Sequence, residues 1–220
     1  MELIKNHKAL YHLKNLYRLK KKDILARLEE FKTVLSERND EEIFIELAFC
    51  ILTPQSKAQS CWEAIRKLED QDLLLSGNAE QMSPYLHCAR FKNKKAHYIE
   101  EARKLFMHDG KISIKSRIST FDSIYKCRDW LVNNIRGLGY KEASHFLRNI
   151  GFGESVAILD RHVLRNLTML HIIEEIPNSL SRNKYLQIEK KMAAFAKQLH
   201  IPLSHLDLLL WYKETGEIFK

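Results

Sequence analysis

Lys141 and Asp160 are the pair whose types and spacing can do chemistry together in this 220-residue chain. A neutral lysine amine attacks an electrophilic carbon, and a fixed carboxylate stabilises positive charge that develops on such a carbon. Asp160 stands 19 residues after Lys141, so only the fold can bring the two together. Asp160 also precedes the segment RHVLRNL, a helix that it can cap, because a short carboxylate accepts the first unpaired backbone N–H groups. Capping and catalysis are compatible, since a cap fixes the carboxylate.

The elements that must position this pair are readable around two glycines. Leu131, Val132 and Ile135 give one helix an apolar stripe, and Ala143, Phe146, Leu147 and Ile150 give a second, which leaves only a tight turn through Gly137 and Gly139. Glycine takes backbone angles that a residue with a side chain resists. It also leaves successive N–H groups uncovered, and with the helix start after Tyr140 these form a small electropositive concavity suited to a phosphate. Lys141 begins the second helix on the shoulder of this hairpin. Gly151 and Gly153 end that helix, and Val156, Ala157, Ile158 and Leu159 return the chain through the core to Asp160, with His162 next but one.

The remaining chain reads as helices with short connections. Ile24, Leu25, Leu28, Phe31, Val34 and Leu35 form one stripe; Asn39 and Asp40 offer a cap for 41–52; Pro54 stops that helix and Ser56 can cap the next, which runs through Ala58, Cys61, Trp62, Ile65 and Leu68. A turn at Pro84, a basic helix over 94–106, a helix over 121–135 and helices near 161–171, 181–199 and 204–213 follow, with Lys111 to Ile114 the single plausible extended scrap. This is an all-α pattern, which we divide into an N-terminal segment 1–19, a first helical lobe over 20–120, and the hairpin with the C-terminal helices over 121–220. The N- and C-terminal segments can share a lobe.

Thirty-six Lys and Arg outnumber 28 Asp and Glu, a net charge of +8 that suits a polyanionic partner. No run approaches the roughly 20 apolar residues of a membrane span, and no hydrophobic segment of signal-peptide type follows the basic N-terminus. A cytoplasmic protein is expected, and the resemblance described below implies that it is DNA-associated. Cys50, Cys61, Cys88 and Cys127 are separated by 11, 27 and 39 residues, intervals that match no zinc or iron–sulfur pattern and suggest core thiols, so no metal and no cofactor is expected.

With these residues in view, the segment VNNIRGLGYKEASHFLRNIGFGESVAILD resembles the helix-hairpin-helix and Gly/Pro-Asp motif of the DNA glycosylase superfamily. The lead to the aspartate, IGFGES, has glycines and no proline. Three further segments, ILTPQSKA, ARFKNKKAHYI and the ending WYKETGEIFK, are similar to the short archaeal and bacterial 8-oxoguanine DNA glycosylase/AP lyases, the second subfamily, and the likeness covers the chain from about residue 20. The resemblance implies a two-lobed helix-hairpin-helix glycosylase fold with its active site in the cleft between lobes. It implies a bifunctional base-excision enzyme, acting as a monomer on double-stranded DNA containing 8-oxoguanine.

Carried over residue by residue, the resemblance makes Lys141 the Schiff-base nucleophile and Asp160 the electrostatic support of the sugar. Trp211 would stack on the everted base, with Phe219 beside it. The main-chain carboxylate of Lys220 would accept from the N7–H that distinguishes 8-oxoguanine from guanine. Asp207 and Tyr212 are further pocket candidates. Gln55 would approach the disrupted stack and Lys57 a phosphate, although Pro54 stands where relatives commonly have alanine. Arg90 and Phe91 resemble the loop that wedges beside the orphaned base, while Lys92, Lys94, Lys95 and His162 suit phosphates. Two other readings share the hairpin: a thymine-glycol type glycosylase/lyase, against which the absence of cluster cysteines and the FK ending argue, and a non-catalytic DNA-binding module, which leaves the pairing of Lys141 with Asp160 unexplained.

Overall fold

The computed structural model describes residues 2–220, with side chains from residue 8 onward. Helices dominate. The first, α1 (Glu2–Glu37), runs unbroken from the segment left unplaced by the sequence, since no glycine or proline interrupts it. There follow α2 (Asp40–Leu52), α3 (Ala58–Asp70), the short α4 (Leu73–Ser76) and α5 (Ala79–Met82), a 3₁₀ turn at Ser83–Leu86 containing Pro84, and α6 (Lys92–Phe106). A two-stranded antiparallel hairpin, β1 (Met107–His108) with β2 (Lys111–Ile112), accounts for the extended scrap, but α7 (Ile114–Ser119) takes over from Ile114. Then come α8 (Ile124–Asn134), α9 (Tyr140–Leu147), a π turn at Arg148–Phe152, a 3₁₀ turn at Gly153–Ser155, α10 (Arg161–Met169), α11 (Arg182–Leu199) and α12 (Leu203–Thr215).

The chain divides into two compact units: residues 33–150, and residues 1–32 together with 151–220. These divisions lie after Lys32 and Ile150, not near 20 and 120, so the hairpin is grouped with the helices before it.

The 33–150 unit is built around α2. Its residues Ile43 to Leu52 are all buried, and α3, α6, α7 and α9 pack on it. Such a helix, apolar all round but for Glu46, which accepts from Asn149 Nδ2 at 3.1 Å, is stable only with neighbours on every side. Asn39 starts it as foreseen: the side chain accepts from Glu42 N at 2.9 Å while the Glu42 carboxylate accepts from Asn39 N. Ser56, by contrast, does not cap α3; Lys57 holds the cap position without a side-chain bond, because the Ser56 hydroxyl is used elsewhere.

In the other unit α12 is central and packs on α10 and α11. Leu13, Ile24 and Leu28 seat α1, and Tyr17 bonds His205 Nδ1 at 2.9 Å. Gly151 is required at φ +97°, where an added Cβ would lie 3.1 Å from Phe31 O. No helix among the described residues is long and apolar enough to cross a membrane.

Candidate active site

Gly137 and Gly139 turn the chain between α8 and α9, but for different reasons. Gly137 is left-handed at φ +83°, and a Cβ there would sit 2.5 Å from the Tyr98 ring. Gly139 is extended, at φ −91° and ψ −176°, so conformational freedom is not its role. Its N–H donates to Glu142 Oε2 at 3.2 Å, and a Cβ would crowd that same oxygen at 3.1 Å. Leu138 N likewise donates to Ile135 O. The hairpin amides at 138 and 139 therefore already have acceptors, and a phosphate arriving at Gly139 has to replace Glu142. Tyr140 is fixed below the turn by its hydroxyl, which donates to Asp129 Oδ1 at 2.6 Å, and by the Arg128 guanidinium 5.6 Å from its ring.

Lys141 follows in the first turn of α9 with 22% of its side chain exposed. Its Nζ lies 3.3 Å from Glu142 Oε1 and 3.4 Å from Thr53 Oγ1, whose own hydroxyl donates to Cys50 O. The amine is thus held at the junction of the hairpin and the turn after α2, half-screened and not waving in solvent.

Two exposed turns belong to the same unit. Gln55 is held at φ +56° and Phe91 at φ +60°, with Phe91 55% exposed and the Arg90 guanidinium 4.9 Å from its ring. Left-handed backbone costs about 1–2 kcal/mol for such residues and concentrates where side chains are aimed for a purpose. Lys57, Arg90 and Lys94 are exposed and Lys92 half-buried. Lys95 is not with them. It is 5% exposed and its Nζ donates to Leu52 O at 2.6 Å, Pro54 O at 2.7 Å and Ser56 Oγ at 3.2 Å, because its place on α6 falls on the inward stripe with Ala96, Ile99 and Ala102. Burial pushes its pKa down and the charge of Lys141 adds to this, against Cys61, Cys88 and Glu142. Burial in turn raises the Cys61 thiol to about 11, so it stays protonated.

Asp160 caps α10, accepting from Val163 N through Oδ1 at 2.7 Å, as its sequence position suggested. The extended strand of chain before it is gripped by three buried side chains: Glu189 accepts from Ala157 N at 2.9 Å, Asp207 from Ile158 N at 2.9 Å and Tyr185 from Leu159 N at 3.2 Å, while Tyr185 donates to Ala157 O at 2.6 Å. Four hydrogen bonds over three residues fix the backbone that delivers Asp160. His162, the second residue of α10, meets Trp211 of α12 edge-on, with centroids 5.2 Å apart. Behind them Asn166 is fully buried, donating to Glu214 and accepting from Lys213, which ties α10 to α12.

A family model for 8-oxoguanine DNA glycosylase matches residues 24–201. The chain belongs to that family. It is 46% identical over 217 residues to the 8-oxoguanine DNA glycosylase/AP lyase of Fusobacterium nucleatum, covering 99% of this chain and 100% of the relative. Among solved structures, the 8-oxoguanine DNA glycosylase of Thermotoga maritima superposes with a TM-score of 0.87 at 34% identity, covering 98% of this chain and all of that one. The Methanocaldococcus jannaschii glycosylase/lyase, solved with a 15mer DNA containing 8-oxoguanine, gives a TM-score of 0.84 at 38% identity over 96% of this chain and all of that one. The fold is thus the all-α helix-hairpin-helix glycosylase fold.

In this family member the residues singled out by sequence fall into two groups. Lys141, Gly137, Gly139, Tyr140, Gln55, Lys57, Arg90, Phe91 and Lys92 sit in the 33–150 unit; Asp160, His162, Asp207, Trp211, Phe219 and Lys220 sit in the other. Asp207 is 4% exposed and serves the backbone at Ile158. Trp211, Phe219 and Lys220 are half-buried, the last two beyond Gly216, which ends α12 at φ +77°. Sequence reasoning missed Tyr185 and Glu189. Their signal was present: both lie on the apolar stripe of α11 with Ile188 and Met192, where a polar residue needs a buried partner. Among the described residues no cluster of His, Cys, Asp or Glu could hold a metal ion.

Proposed function

We propose that this chain is a bifunctional DNA glycosylase that removes 8-oxoguanine from duplex DNA and then cuts the strand, with Lys141 as nucleophile. The observation that carries the assignment of Lys141 is its place: a half-screened amine in the first turn after Gly137 and Gly139, on a chain of the 8-oxoguanine DNA glycosylase family. The Methanocaldococcus relative, solved with DNA containing 8-oxoguanine, supports that lesion as substrate.

The base must leave the stack to be reached. Phe91 and Gln55 fill the space it vacates, Lys57, Arg90, Lys92 and His162 hold phosphates, and Trp211 with Phe219 and Lys220 receives the base. The neutral Lys141 amine attacks C1′, the N-glycosidic bond breaks with its electrons leaving on the base, and opening of the sugar gives the Schiff base. The iminium makes the 2′ proton acidic; its loss expels the 3′ phosphate, and hydrolysis of the imine restores the amine. Asp160 faces the positive charge on the sugar during base loss, its carboxylate already immobilised by capping. The chain works as a monomer.

Borohydride reduction of the imine during incubation with an 8-oxoguanine duplex tests this directly. The parent chain gives a denaturation-resistant adduct and Lys141→Gln none; equal excision by both removes Lys141 as nucleophile. Asp160→Asn retains a capping side chain, so it separates the two roles: base loss slows by about a hundredfold or more, the scale of losing one transition-state charge contact, while duplex affinity stays. Faster excision of thymine glycol than of 8-oxoguanine would reassign the substrate.

A further inference from the structure

Lys95 is the least expected residue of the 33–150 unit. Its buried ammonium closes the turn after α2 by binding the carbonyls of Leu52 and Pro54, and reaches the hydroxyl of Ser56. The same hydroxyl oxygen accepts from Arg90 N at 3.1 Å, so the turn bearing Phe91 hangs from the turn bearing Gln55. Thr53, at the head of the first turn, is the residue whose Oγ1 lies 3.4 Å from Lys141 Nζ. A buried cation is tolerated only when its donors are satisfied, and here the acceptors are the backbone of one turn and the serine that links it to the other.

We propose that Lys95 is a positioning residue whose ammonium locks Gln55, Phe91 and the threonine beside the nucleophile into one rigid unit, so that both probing side chains enter a duplex together and in register with Lys141. This deepens the reading given above and rests on it. Eversion of a stacked base needs both probes; attack on a sugar that is already unstacked does not.

The test compares two substrates: an 8-oxoguanine duplex, and an abasic site inside a short unpaired bubble, where no stack has to be broken. For Lys95→Met we expect excision from the duplex to fall at least about tenfold, with borohydride trapping at the bubble within about twofold of the parent. Ser56→Ala removes the link between the turns, together with the longer bond from the Ser56 hydroxyl to Pro54 O, while the Lys95 bonds to Leu52 O and Pro54 O stay; it shows the same split in milder form, which decides the matter if Lys95→Met does not fold. Equal losses on both substrates, or none on either, would overturn the proposal. Failure of the parent to trap at all would instead sink the nucleophile assignment.

A second inference stands on a separate observation. Residues 8–22 of α1 contain Lys8, Lys14, Arg18, Lys20, Lys21 and Lys22 and no carboxylate, six positive charges in a chain whose net charge is +8. The family model begins only at residue 24. Leu13, 3% exposed, and the Tyr17–His205 bond dock this part of the helix, while Lys8, Lys14, Arg18, Lys21 and Lys22 remain exposed and Lys20 pairs with Asp23. From Lys8 to Lys22 a helix spans about 21 Å, roughly six phosphates along one DNA strand. We infer that this face is an additional contact for the phosphates of duplex DNA.

Replacing Lys14, Arg18, Lys21 and Lys22 with Gln together should reduce the slope of log affinity against log salt on undamaged duplex by about two to four, at about 0.9 per phosphate contact. Excision at saturating enzyme should be unchanged. A slope reduced by less than about one per two charges removed, or an effect seen on anionic vesicles or single-stranded RNA but not on duplex, would overturn it.

Discussion

Gly137 lies against the ring of Tyr98, so close that a Cβ on the glycine would be 2.5 Å from Cδ2. The hairpin is therefore required to be glycine twice over, by its φ of +83° and by the aromatic wall of α6 beneath it. Gly137→Ala should cost about 1–2 kcal/mol from backbone strain alone, with the ring displacement in addition. On the reading that a phosphate takes the place of Glu142 at the hairpin, duplex affinity should fall at least about tenfold, one decade per 1.4 kcal/mol. Pairing the change with Tyr98→Ala should recover the steric part and leave the conformational part; a pair no better than the single variant in a binding titration would show that the wall does not constrain the turn.

Asp207 acts on Asp160 through two residues of backbone. Its carboxylate accepts from Ile158 N, and beside it Tyr185 and Glu189 hold Leu159 and Ala157. Asp207→Leu leaves a buried N–H without its acceptor, a loss of about 1–3 kcal/mol. The melting temperature should drop and the turnover for base loss with it, whereas affinity for undamaged duplex should hold. If the variant instead keeps its melting temperature and turnover but loses discrimination between 8-oxoguanine and guanine, Asp207 reads the base.

How far the sequence carried depends on whether a signal was local. Asn39, Asp160 and Gly137 announce themselves because caps and left-handed turns are decided by a few neighbouring residues. The bounds of α10 to α12 follow from period and caps to within two residues, whereas α8 starts at Ile124 and not at 121, and α9 gives way at Arg148 to a π turn before Gly151 and Gly153. Lys95 was misread because its surroundings, Leu52 and Pro54, are assembled from distant chain, and the bond from Ile158 N to Asp207 lay out of reach of the sequence for the same reason. The helical period did place Lys95 in line with Ile99 and Ala102, but a lysine in the run KNKK reads as solvated surface unless buried acceptors are known. Arg103 repeats the pattern, donating to Leu74 O and Gly77 O.

His205 makes the docking of α1 sensitive to acid. Burial first, then the charges of Lys21 and Lys32, depress its pKa from the ordinary 6.5, and Tyr17, its hydrogen-bond partner, is itself raised by burial. A folded histidine that resists protonation is protonated more readily in the unfolded chain, so its contribution to stability is complete above 6.5 and declines as pH falls below that value. Thermal melts should therefore show a lower melting temperature near pH 5.5 than near pH 7.5. His205→Gln should flatten part of that difference; an identical pH profile in the variant would mean that other groups carry all of it.

Trp211 meets His162 edge to face, and Asn166, Lys213 and Glu214 tie together the helices α10 and α12 that carry them. Stacking of the everted base on this ring, as proposed above, would be worth roughly 1–3 kcal/mol. That energy is available only while a base is present. Trp211→Ala should therefore lower kcat/KM for 8-oxoguanine excision by about tenfold to a hundredfold, at about 1.4 kcal/mol per decade, yet leave cleavage at a preformed abasic site close to the parent rate. Trp211→Phe, which keeps an aromatic face, should recover most of the excision. Parallel losses on the lesion and on the abasic site would make Trp211 a prop for His162 and α10, and would leave the flipped base to be recognised elsewhere.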